Sequence, residues 1–255
     1  MRKNTIKDKI RVRQKAYGIV VDWPSPDIVE ACGYVGFDWV WIDIEHGLFN
    51  PETLSNVTRA ADVAGVVPIA RIPNTRDLEL VLTYLEAGMM GLHMAHVQSR
   101  KDVEFLVDAA LYPPQGHRSA GMMRRANWDY GLTPAEFYAA SNREVFISVL
   151  VEEREGIERL DEILSVPELD AVMIGPGDLA LTLGFPGEST RPEVSTWRQR
   201  AEAMIVQSGK ALMRIEYDGS IEAQRASAKA ALLPVCSTRG LFMGACESWL
   251  KAVRA

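Results

Sequence analysis

The stretch Trp41-Ile-Asp-Ile-Glu-His-Gly-Leu48 is the most informative part of the sequence. In it, a run of apolar and aromatic residues ends in Asp43, Glu45 and His46 and is closed by Gly47. The pattern predicts a buried strand that presents two carboxylates and an imidazole at its C-terminal end. Side chains of these types, gathered at the end of a strand, indicate a functional site.

Short apolar runs of the same strand type recur along the whole chain, separated by stretches with helical periodicity. Strands that alternate with helices favour a parallel sheet, and a (β/α)8 TIM barrel typically needs about 250 residues. The chain has 255 residues. We therefore predict an α/β protein with one (β/α)8 barrel domain over residues 1–255, and a doubly wound open sheet is the alternative. The eight predicted strands are Tyr17 to Val21, Asp38 to Asp43, Val66 to Arg71, Gly91 to Ala95, Val145 to Val151, Ala171 to Ile174, Ala211 to Glu216 and Leu232 to Cys236.

Several of the intervening segments carry recognisable helix boundaries. Asn50-Pro51 and Asn74-Thr75 are predicted helix starts, and Thr133-Pro-Ala-Glu136 is typical of a capping box with proline at the first helical position. Gly65 and Gly88 are predicted to end two of these helices.

The conspicuous polar residues of the sequence follow predicted strands. In a (β/α)8 barrel the active site lies at the C-terminal ends of the strands, so side chains from different strand ends meet at one mouth. We expect the following residues there: Asp43, Glu45 and His46 after the second strand, Arg71 at the end of the third, Glu152 after the fifth, and Gly175-Pro-Gly-Asp178 after the sixth.

Composition is that of an ordinary globular protein. The formal net charge is -6, 24% of residues are charged and 47% are hydrophobic. The first fifteen residues contain seven Lys or Arg, which we interpret as a solvated terminus, so no nucleic-acid partner is expected. No apolar run has the length of a membrane span, and the basic start lacks the apolar stretch of a signal peptide. We expect a cytoplasmic protein that does not contact membranes.

Cysteine and lysine usage narrows the chemistry. Cys32, Cys236 and Cys246 are widely spaced in apolar contexts, and we interpret them as reduced core residues. The lysines lie in the tail, on predicted helices or before a strand, so none is expected to form a Schiff base inside the barrel. Residues 112–132 form the longest irregular stretch, which favours a lid or an intersubunit contact.

Glu152 and Asp178 are two carboxylates from different strand ends with no cysteine nearby. An oxygen-rich site of this kind suits Mg2+, Mn2+ or Co2+ that also holds waters or a chelating substrate. The alternative is that both carboxylates form salt bridges with Arg154 or Arg71. We favour the metal site because both carboxylates are expected at the barrel mouth beside His46.

His46 and Asp43 are predicted to form a general-base dyad. A carboxylate three residues before the imidazole can accept from one ring nitrogen and raise the basicity of the other. Arg71 ends a buried strand, where a guanidinium can stabilise an oxyanion or bind a carboxylate. The alternatives are a structural histidine and a salt bridge from Arg71 to Asp43 or Glu45.

The turn Gly175-Pro-Gly-Asp178 places small residues where a strand passes into a helix. Backbone N–H groups at a helix N-terminus can face an anion, so Gly177, Asp178 and Arg71 are predicted to bind a 2-oxo acid. A zinc site formed by His93, His96 and His46 is a weaker alternative, because His93 lies within a strand and His96 lies beyond it.

Taken together, these motifs resemble the HpcH/HpaI aldolase family of metal-dependent class II pyruvate aldolases. The similarity runs in order from about Tyr17 to Gly187. It rests on Gly36-Phe-Asp-Trp-Val-Trp-Ile-Asp-Ile-Glu-His46, the Arg71 strand, Tyr112-Pro-Pro-Gln-Gly-His-Arg118, Glu152-Glu-Arg-Glu-Gly156, Ile174-Gly-Pro-Gly-Asp-Leu179 and Gly184-Phe-Pro-Gly187.

The resemblance implies cleavage of 4-hydroxy-2-oxo acids to pyruvate and an aldehyde, and the reverse aldol addition. It implies a barrel that exchanges its C-terminal helix between subunits, usually in a hexamer of dimer pairs. Carried over by position, Glu152 and Asp178 would be the metal ligands and Arg71 the group that stabilises the enolate oxygen. Asp43 and His46 would be the base dyad.

The resemblance also assigns Glu45 a supporting role behind these groups.

The chain departs from the family pattern at four places. Leu150 replaces a Gln two residues before the metal-binding Glu, Ala95 replaces a frequent Pro, and Val20 lies where a Trp can line the pocket. The stretch Leu232-Leu-Pro-Val-Cys-Ser-Thr-Arg-Gly240 lacks the Gly-x-Asp pattern expected at the last strand.

Two other functions are weighed against the aldolase. A citrate-lyase-like enzyme acting on acyl-CoA thioesters would not need the Asp43–His46 dyad, so the dyad argues against it. A barrel that binds an oxo acid without turnover is the other alternative, and the substitution at Leu150 is compatible with it. The aldolase is favoured because the set of catalytic groups is nearly complete.

Overall fold

The computed structural model describes residues 2–121, 131–215 and 229–254 of the chain. Eight parallel strands form a closed barrel in which each strand pairs with its sequence neighbours and β8 pairs with β1. The (β/α)8 prediction is confirmed, and the closed barrel rules out the doubly wound open sheet. The strands are β1 Ala16–Val21, β2 Trp39–Asp43, β3 Val67–Ile72, β4 Gly91–Met94, β5 Phe146–Val151, β6 Ala171–Ile174, β7 Ala211–Met213 and β8 Leu232–Ser237.

Helices connect the strands and surround the barrel. The helices of the described residues are α1 Thr5–Arg11, α2 Pro26–Val35, α3 Pro51–Ala64, α4 Leu78–Ala87, α5 Arg100–Ala110, α6 Pro134–Glu144, α7 Arg154–Glu158, α8 Leu160–Leu164, α9 Pro176–Thr182, α10 Pro192–Ser208 and α11 Thr238–Arg254.

Most predicted element boundaries lie within two residues of those observed. The capping box at Thr133 is present, and Gly65 and Gly88 end α3 and α4 in the left-handed conformation. Strand β7 is shorter than predicted, because it ends at Met213. Glu216, where the prediction placed its end, lies outside the described residues.

The predicted helix start at Asn74-Thr75 is wrong, because α4 begins at Leu78. Asp77 caps this helix, and its carboxylate accepts the N–H groups of Glu79 and Leu80 at 2.9 and 3.1 Å. Arg76 lies outside the helix with φ +52°. A residue with positive φ cannot be part of a right-handed helix, so the first turn starts after it.

Two apolar cores hold the barrel together. One lies between the strands and the surrounding helices, and the other fills the barrel interior, where it includes Trp39, Trp41 and Leu150. Ile6 of α1 belongs to the interior core and is fully buried, so α1 closes the N-terminal end of the barrel. The polar strand ends lie at the opposite, C-terminal end.

The C-terminal helix α11 leaves much apolar surface uncovered. It contacts β1 and β8, and Phe242 packs edge-on against Trp23 with ring centroids 5.5 Å apart. Its other large apolar side chains are at least half exposed; these are Leu241, Met243, Trp249, Leu250 and Val253. Across the described ranges, no helix combines the length and apolar character needed to cross a bilayer.

The predicted lid or intersubunit contact at residues 112–132 stays a prediction, because its central residues 122–130 lie outside the described residues.

Candidate active site

The end of β2 turns sharply so that its polar residues stay at the barrel mouth. The N–H of Gly47 donates to the carbonyl oxygen of Asp43 at 3.0 Å and closes the turn through Glu45 and His46. A Cβ at position 47 would lie 2.2 Å from that carbonyl oxygen. Only glycine therefore allows this turn, and within the turn the side chain of Glu45 is 8% exposed.

Arg71 and Asp43 form the central ion pair of the mouth. They are direct neighbours across β2 and β3, and Nε and Nη2 of Arg71 donate to Oδ1 and Oδ2 of Asp43 at 2.9 and 2.6 Å. Burial works against the charge of the guanidinium. The hydrogen bond and charge of Asp43 outweigh it, with help from Glu45 and Glu152, and raise the pKa of Arg71. The salt bridge that was the alternative role of Arg71 is present, and Nη1 makes no hydrogen bond with the described residues.

The predicted bond between Asp43 and the ring of His46 is not formed in this structure. The Asp43 carboxylate is occupied by Arg71 and by the backbone N–H of His46, which donates to Oδ1 at 3.2 Å. The His46 ring is instead directed toward Glu45, with Nε2 3.8 Å from Oε2. The carboxylate near the His46 ring is therefore Glu45, which lies beyond hydrogen-bonding distance and is also approached by Arg71 at 3.4 Å.

Glu152 is a buried carboxylate at the end of β5, with 4% of its surface exposed. Burial raises its pKa to about 8; His96 opposes this rise, while the charges of Asp178 and Glu45 add to it. Gly175 at the end of β6 leaves room for this side chain, since a Cβ there would lie 2.6 Å from Oε2 of Glu152.

Asp178 lies in the first turn of α9, close enough to Glu152 for its charge to act on that carboxylate. The alternative salt bridge to Arg154 is not formed, because Arg154 pairs with Glu158 at 2.8 Å. Two neighbouring carboxylates, one of them buried, fit a divalent cation of the Mg2+ type that keeps several waters. Within the described part of the chain no three His, Cys, Asp or Glu side chains form a complete metal cage.

The zinc alternative is not supported by the positions of the two histidines. His93 faces the barrel interior and is fully buried, with Nδ1 2.8 Å from the hydroxyl of Ser148. Burial, with a smaller effect from the positive charge of Arg71, lowers its pKa to about 3. His96 lies at the mouth, beyond the end of β4, so the two rings lie at different depths in the barrel.

His96 is a site residue whose position the sequence reasoning missed. Its Nδ1 lies 2.6 Å from Oε1 of Glu153, and its Nε2 lies 3.3 Å from Oε1 of Glu45. Burial opposes protonation, but the hydrogen bond to Glu153 and the nearby glutamates raise the pKa of His96. The signal in the sequence was its place just after the end of β4, which indicates the barrel mouth. On the sequence alone, His96 is considered only as a zinc ligand.

No lysine among residues 2–121, 131–215 and 229–254 is buried. A Schiff-base lysine is held in an apolar environment that lowers its pKa. Burial lowers the pKa of Lys210, but this residue precedes β7, and its Nζ donates to the carbonyl oxygens of Val166 and Pro167 at 2.8 and 3.0 Å.

Known proteins resemble this chain in sequence and in structure. The sequence profile of the HpcH/HpaI aldolase/citrate lyase family matches residues 17–228. A "Hydroxypyruvate/pyruvate aldolase" of Sagittula stellata is 33% identical over 192 residues, which cover 75% of each chain. A "5-keto-4-deoxy-D-glucarate aldolase" of Escherichia coli is 29% identical over 191 residues, which cover 75% of this chain and 73% of the relative.

A solved structure shows the same architecture over nearly the full length. The crystal structure of an HpcH/HpaI aldolase/citrate lyase family protein from Burkholderia cenocepacia J2315 superposes with a TM-score of 0.91 and 28% identity. The superposition covers 99% of this chain and 100% of that one. The likeness includes α11 and the last strands, where the sequence resemblance had faded.

Proposed function

Because the chain belongs to the HpcH/HpaI aldolase/citrate lyase family, we propose that it is a metal-dependent class II aldolase, a carbon–carbon lyase. It cleaves 4-hydroxy-2-oxo acids to pyruvate and an aldehyde and catalyses the reverse addition. The observation that carries this proposal is the buried carboxylate of Glu152, beside Asp178 and facing the Arg71–Asp43 ion pair at one barrel mouth.

Glu152 and Asp178 are the residues that hold the cation, for which we propose Mg2+, Mn2+ or Co2+. Bound there, the cation supplies a Lewis acid for the carboxylate and keto oxygens of the 2-oxo acid. Two carboxylates would hold such a cation while leaving room for water and substrate oxygens, which suits ions of the Mg2+ type. Backbone N–H groups of Gly177 and Asp178 in the first turn of α9 support the substrate carboxylate.

Arg71 is held in place to stabilise negative charge that develops on the substrate. Its Nε and Nη2 are fixed by Asp43 through two hydrogen bonds, which define the orientation of the guanidinium plane. Such a preorganised donor stabilises charge without reorganisation during the reaction. We assign Nη1 to the keto oxygen, where charge increases as the C3–C4 bond breaks.

His46 is proposed as the base that removes the proton from the C4 hydroxyl group. Its side chain is 68% exposed at the mouth, where the 4-hydroxy-2-oxo acid enters. Glu45 lies 3.8 Å from Nε2, and its negative charge can stabilise the imidazolium that forms after proton transfer. In this arrangement Asp43 fixes Arg71 by hydrogen bonds, and Glu45 places its negative charge near His46.

The names of the relatives suggest which 2-oxo acids to test first. Because the Sagittula stellata relative is named a hydroxypyruvate/pyruvate aldolase, we propose that pyruvate and hydroxypyruvate both enter this site. We further propose a cytoplasmic homo-oligomer, in keeping with the resemblance a hexamer. All three cysteines are free thiols, which agrees with a reducing compartment. The interpretation of them as core residues is right only for Cys32, because Cys236 is half-buried and Cys246 is exposed.

The proposal predicts that the protein enolises pyruvate without any aldehyde. With Mg2+ or Mn2+ in D2O, the C3 protons of pyruvate should exchange faster than in buffer, measured by proton NMR, and a chelator should abolish the exchange. Arg71→Ala should slow it about 100 to 1,000-fold, because an oxyanion donor is lost. Arg100→Ala is the matched control, since Arg100 pairs with Glu104 on an exposed face of α5.

If pyruvate binds but none of the divalent ions promotes exchange, the aldolase proposal is wrong and the non-catalytic binding barrel replaces it. Exchange that is equally fast in Arg71→Ala would leave the activity but remove Arg71 from its assigned role.

A further inference from the structure

The loop after β4 holds His96 in an unusual backbone conformation. Its φ is +54°, a left-handed value that is uncommon for a residue other than glycine. Such conformations cost energy and persist where surrounding contacts determine them, often at functional sites. The contacts made by the His96 backbone therefore indicate what the conformation achieves.

Both polar groups of the His96 main chain are used. Its N–H donates to Oε1 of Glu152 at 3.2 Å, and its carbonyl oxygen accepts from Nδ2 of Asn74 at 3.1 Å. The following N–H, of Val97, donates to the carbonyl oxygen of Leu150 in β5 at 3.1 Å. The left-handed turn thus aims one donor at the proposed metal ligand and is held from both sides.

The ring of His96 connects two strand ends. Nδ1 donates to Oε1 of Glu153 at 2.6 Å and lies 3.4 Å from Oε1 of Glu152. Nε2 lies 3.3 Å from Oε1 of Glu45, which also approaches Arg71 at 3.4 Å. One imidazole therefore lies against three carboxylates from the ends of β2 and β5, which would otherwise repel one another.

These contacts distinguish the two oxygens of Glu152. Oε1 faces the N–H and ring of His96, whereas Oε2 lies in the space that a Cβ at Gly175 would fill, 2.6 Å away. Asp178 follows in the same β6–α9 turn as Gly175. With Oε1 held by His96, Oε2 is the oxygen left on the side of the β6–α9 turn.

We propose that His96 is a positioning residue for the cation site, which fixes the orientation of Glu152 through its left-handed main chain and its ring bridge between Glu45 and Glu153. This inference rests on the proposed function, because it takes Glu152 as a ligand. Groups that orient a metal ligand by hydrogen bonding typically contribute about 10 to 100-fold to metal affinity.

The test measures Mn2+ affinity by electron paramagnetic resonance, which detects the free ion and needs no turnover. His96→Gly keeps the left-handed backbone accessible but removes the ring, and should weaken Mn2+ binding about 10 to 100-fold. His96→Asn should restore most of the affinity, because Asn tolerates the same backbone and its amide can donate to Glu153 in place of Nδ1. Melting temperature is recorded for every variant.

His117→Ala is the matched control. It removes an imidazole whose Nδ1 also lies 2.5 Å from a carboxylate, that of Asp108, but whose side chain is 85% exposed. Its Mn2+ affinity should equal that of the unmodified protein. If His96→Gly does not fold, Glu153→Gln removes the charge that holds the ring and should weaken Mn2+ binding in the same direction.

Glu152→Ala and Asp178→Ala separate this inference from the proposed function. If neither changes Mn2+ affinity, the proposed site itself is wrong. If both abolish binding while His96→Gly binds like the control, only the positioning role is overturned. The role is also overturned if His96→Gly and His96→Asn both lose binding as completely as Glu152→Ala, because His96 would then be a ligand.

Discussion

The position of the Glu152 side chain depends on the absence of a side chain at its neighbour Gly175. The carboxylate is buried, and the space that a Cβ at Gly175 would occupy is 2.6 Å from Oε2 and 2.8 Å from Cβ of Glu152. Both distances are shorter than real Cβ contacts. At the scale of single residues, the orientation of a proposed ligand is therefore set by a glycine on the next strand.

Gly175→Ala should displace Glu152 and weaken Mn2+ binding about 10 to 100-fold, the range seen when groups that orient a ligand are changed. Calorimetric titration with Mn2+ measures this. Gly177→Ala is the control two residues later, since a Cβ there meets no atom within 4 Å. Equal affinities in the two variants would contradict the assignment of Glu152.

Strand β4 carries a second buried polar group below the mouth. His93 pairs across β4 and β5 with Ser148, whose hydroxyl donates to the carbonyl oxygen of Leu92 at 3.2 Å. With its hydrogen directed at Leu92, the hydroxyl accepts from His93, so Nδ1 carries a proton. Burial, which lowers the pKa of His93, keeps the ring neutral. The His93 ring also packs edge-on against Trp41 with centroids 4.9 Å apart.

This element predicts a pH dependence of stability. Burial, and secondarily Arg71, lowers the pKa of His93 from 6.5 to about 3 in the folded protein. Between these values the unfolded chain binds a proton that the folded chain does not, so stability falls as the pH drops below 6.5. At about 1.36 kcal/mol per pH unit, the loss at pH 5 is about 2 kcal/mol.

Urea denaturation at pH 7 and pH 5, at one protein concentration, measures the effect. His93→Gln cannot titrate, so its free energy of unfolding should fall by about 2 kcal/mol less over the same interval. A pH dependence identical in both proteins would show that His93 is not kept neutral by the fold.

At the scale of the whole molecule, α11 is the element that the single barrel does not cover. Trp249 is 74% exposed and Val253 is 79% exposed, and the same helix exposes Leu250 as well. Contiguous exposed apolar surface of this kind marks protein–protein interfaces. The exchange of this helix between subunits remains a prediction from the family resemblance.

Light scattering coupled to size exclusion should show an oligomer at micromolar concentration. Trp249→Glu should shift the population toward smaller species, because it removes apolar area and adds a charge at the proposed interface. Lys251→Glu on the same helix adds a negative charge without removing an aromatic ring and should have a smaller effect. A monomeric unmodified protein would refute the prediction.

The fold could be predicted from the sequence because its signals are local. Apolar runs of strand length alternate with helical periodicity, and glycine at positions 65 and 88 ends helices through its own backbone freedom. The helix start at Asn74 failed for a non-local reason. The guanidinium of Arg76 pairs with Asp102 on α5, and Arg76 itself lies in a left-handed conformation outside the helix.

For the candidate site as well, the sequence predicted some features and only the tertiary structure showed the others. Asp43, Arg71, Glu152 and Asp178 could be placed at one mouth from the sequence, because barrel topology brings all strand ends together. The choice of partners depended on distances between strands that are far apart in the chain. Nη2 of Arg71 donates to Oδ2 of Asp43 at 2.6 Å, so the Asp43 carboxylate pairs with Arg71 and not with the ring of His46.

His96 shows the same limit from the other side, because its ring lies against three glutamates that follow two different strands. The sequence by itself determined that Asp43, Arg71, Glu152 and Asp178 reach the barrel mouth, since each lies at or just after the end of a predicted strand. Only the tertiary structure decided which of them pair, because charged side chains compete for partners once the closed barrel has brought them within hydrogen-bonding distance and removed them from water.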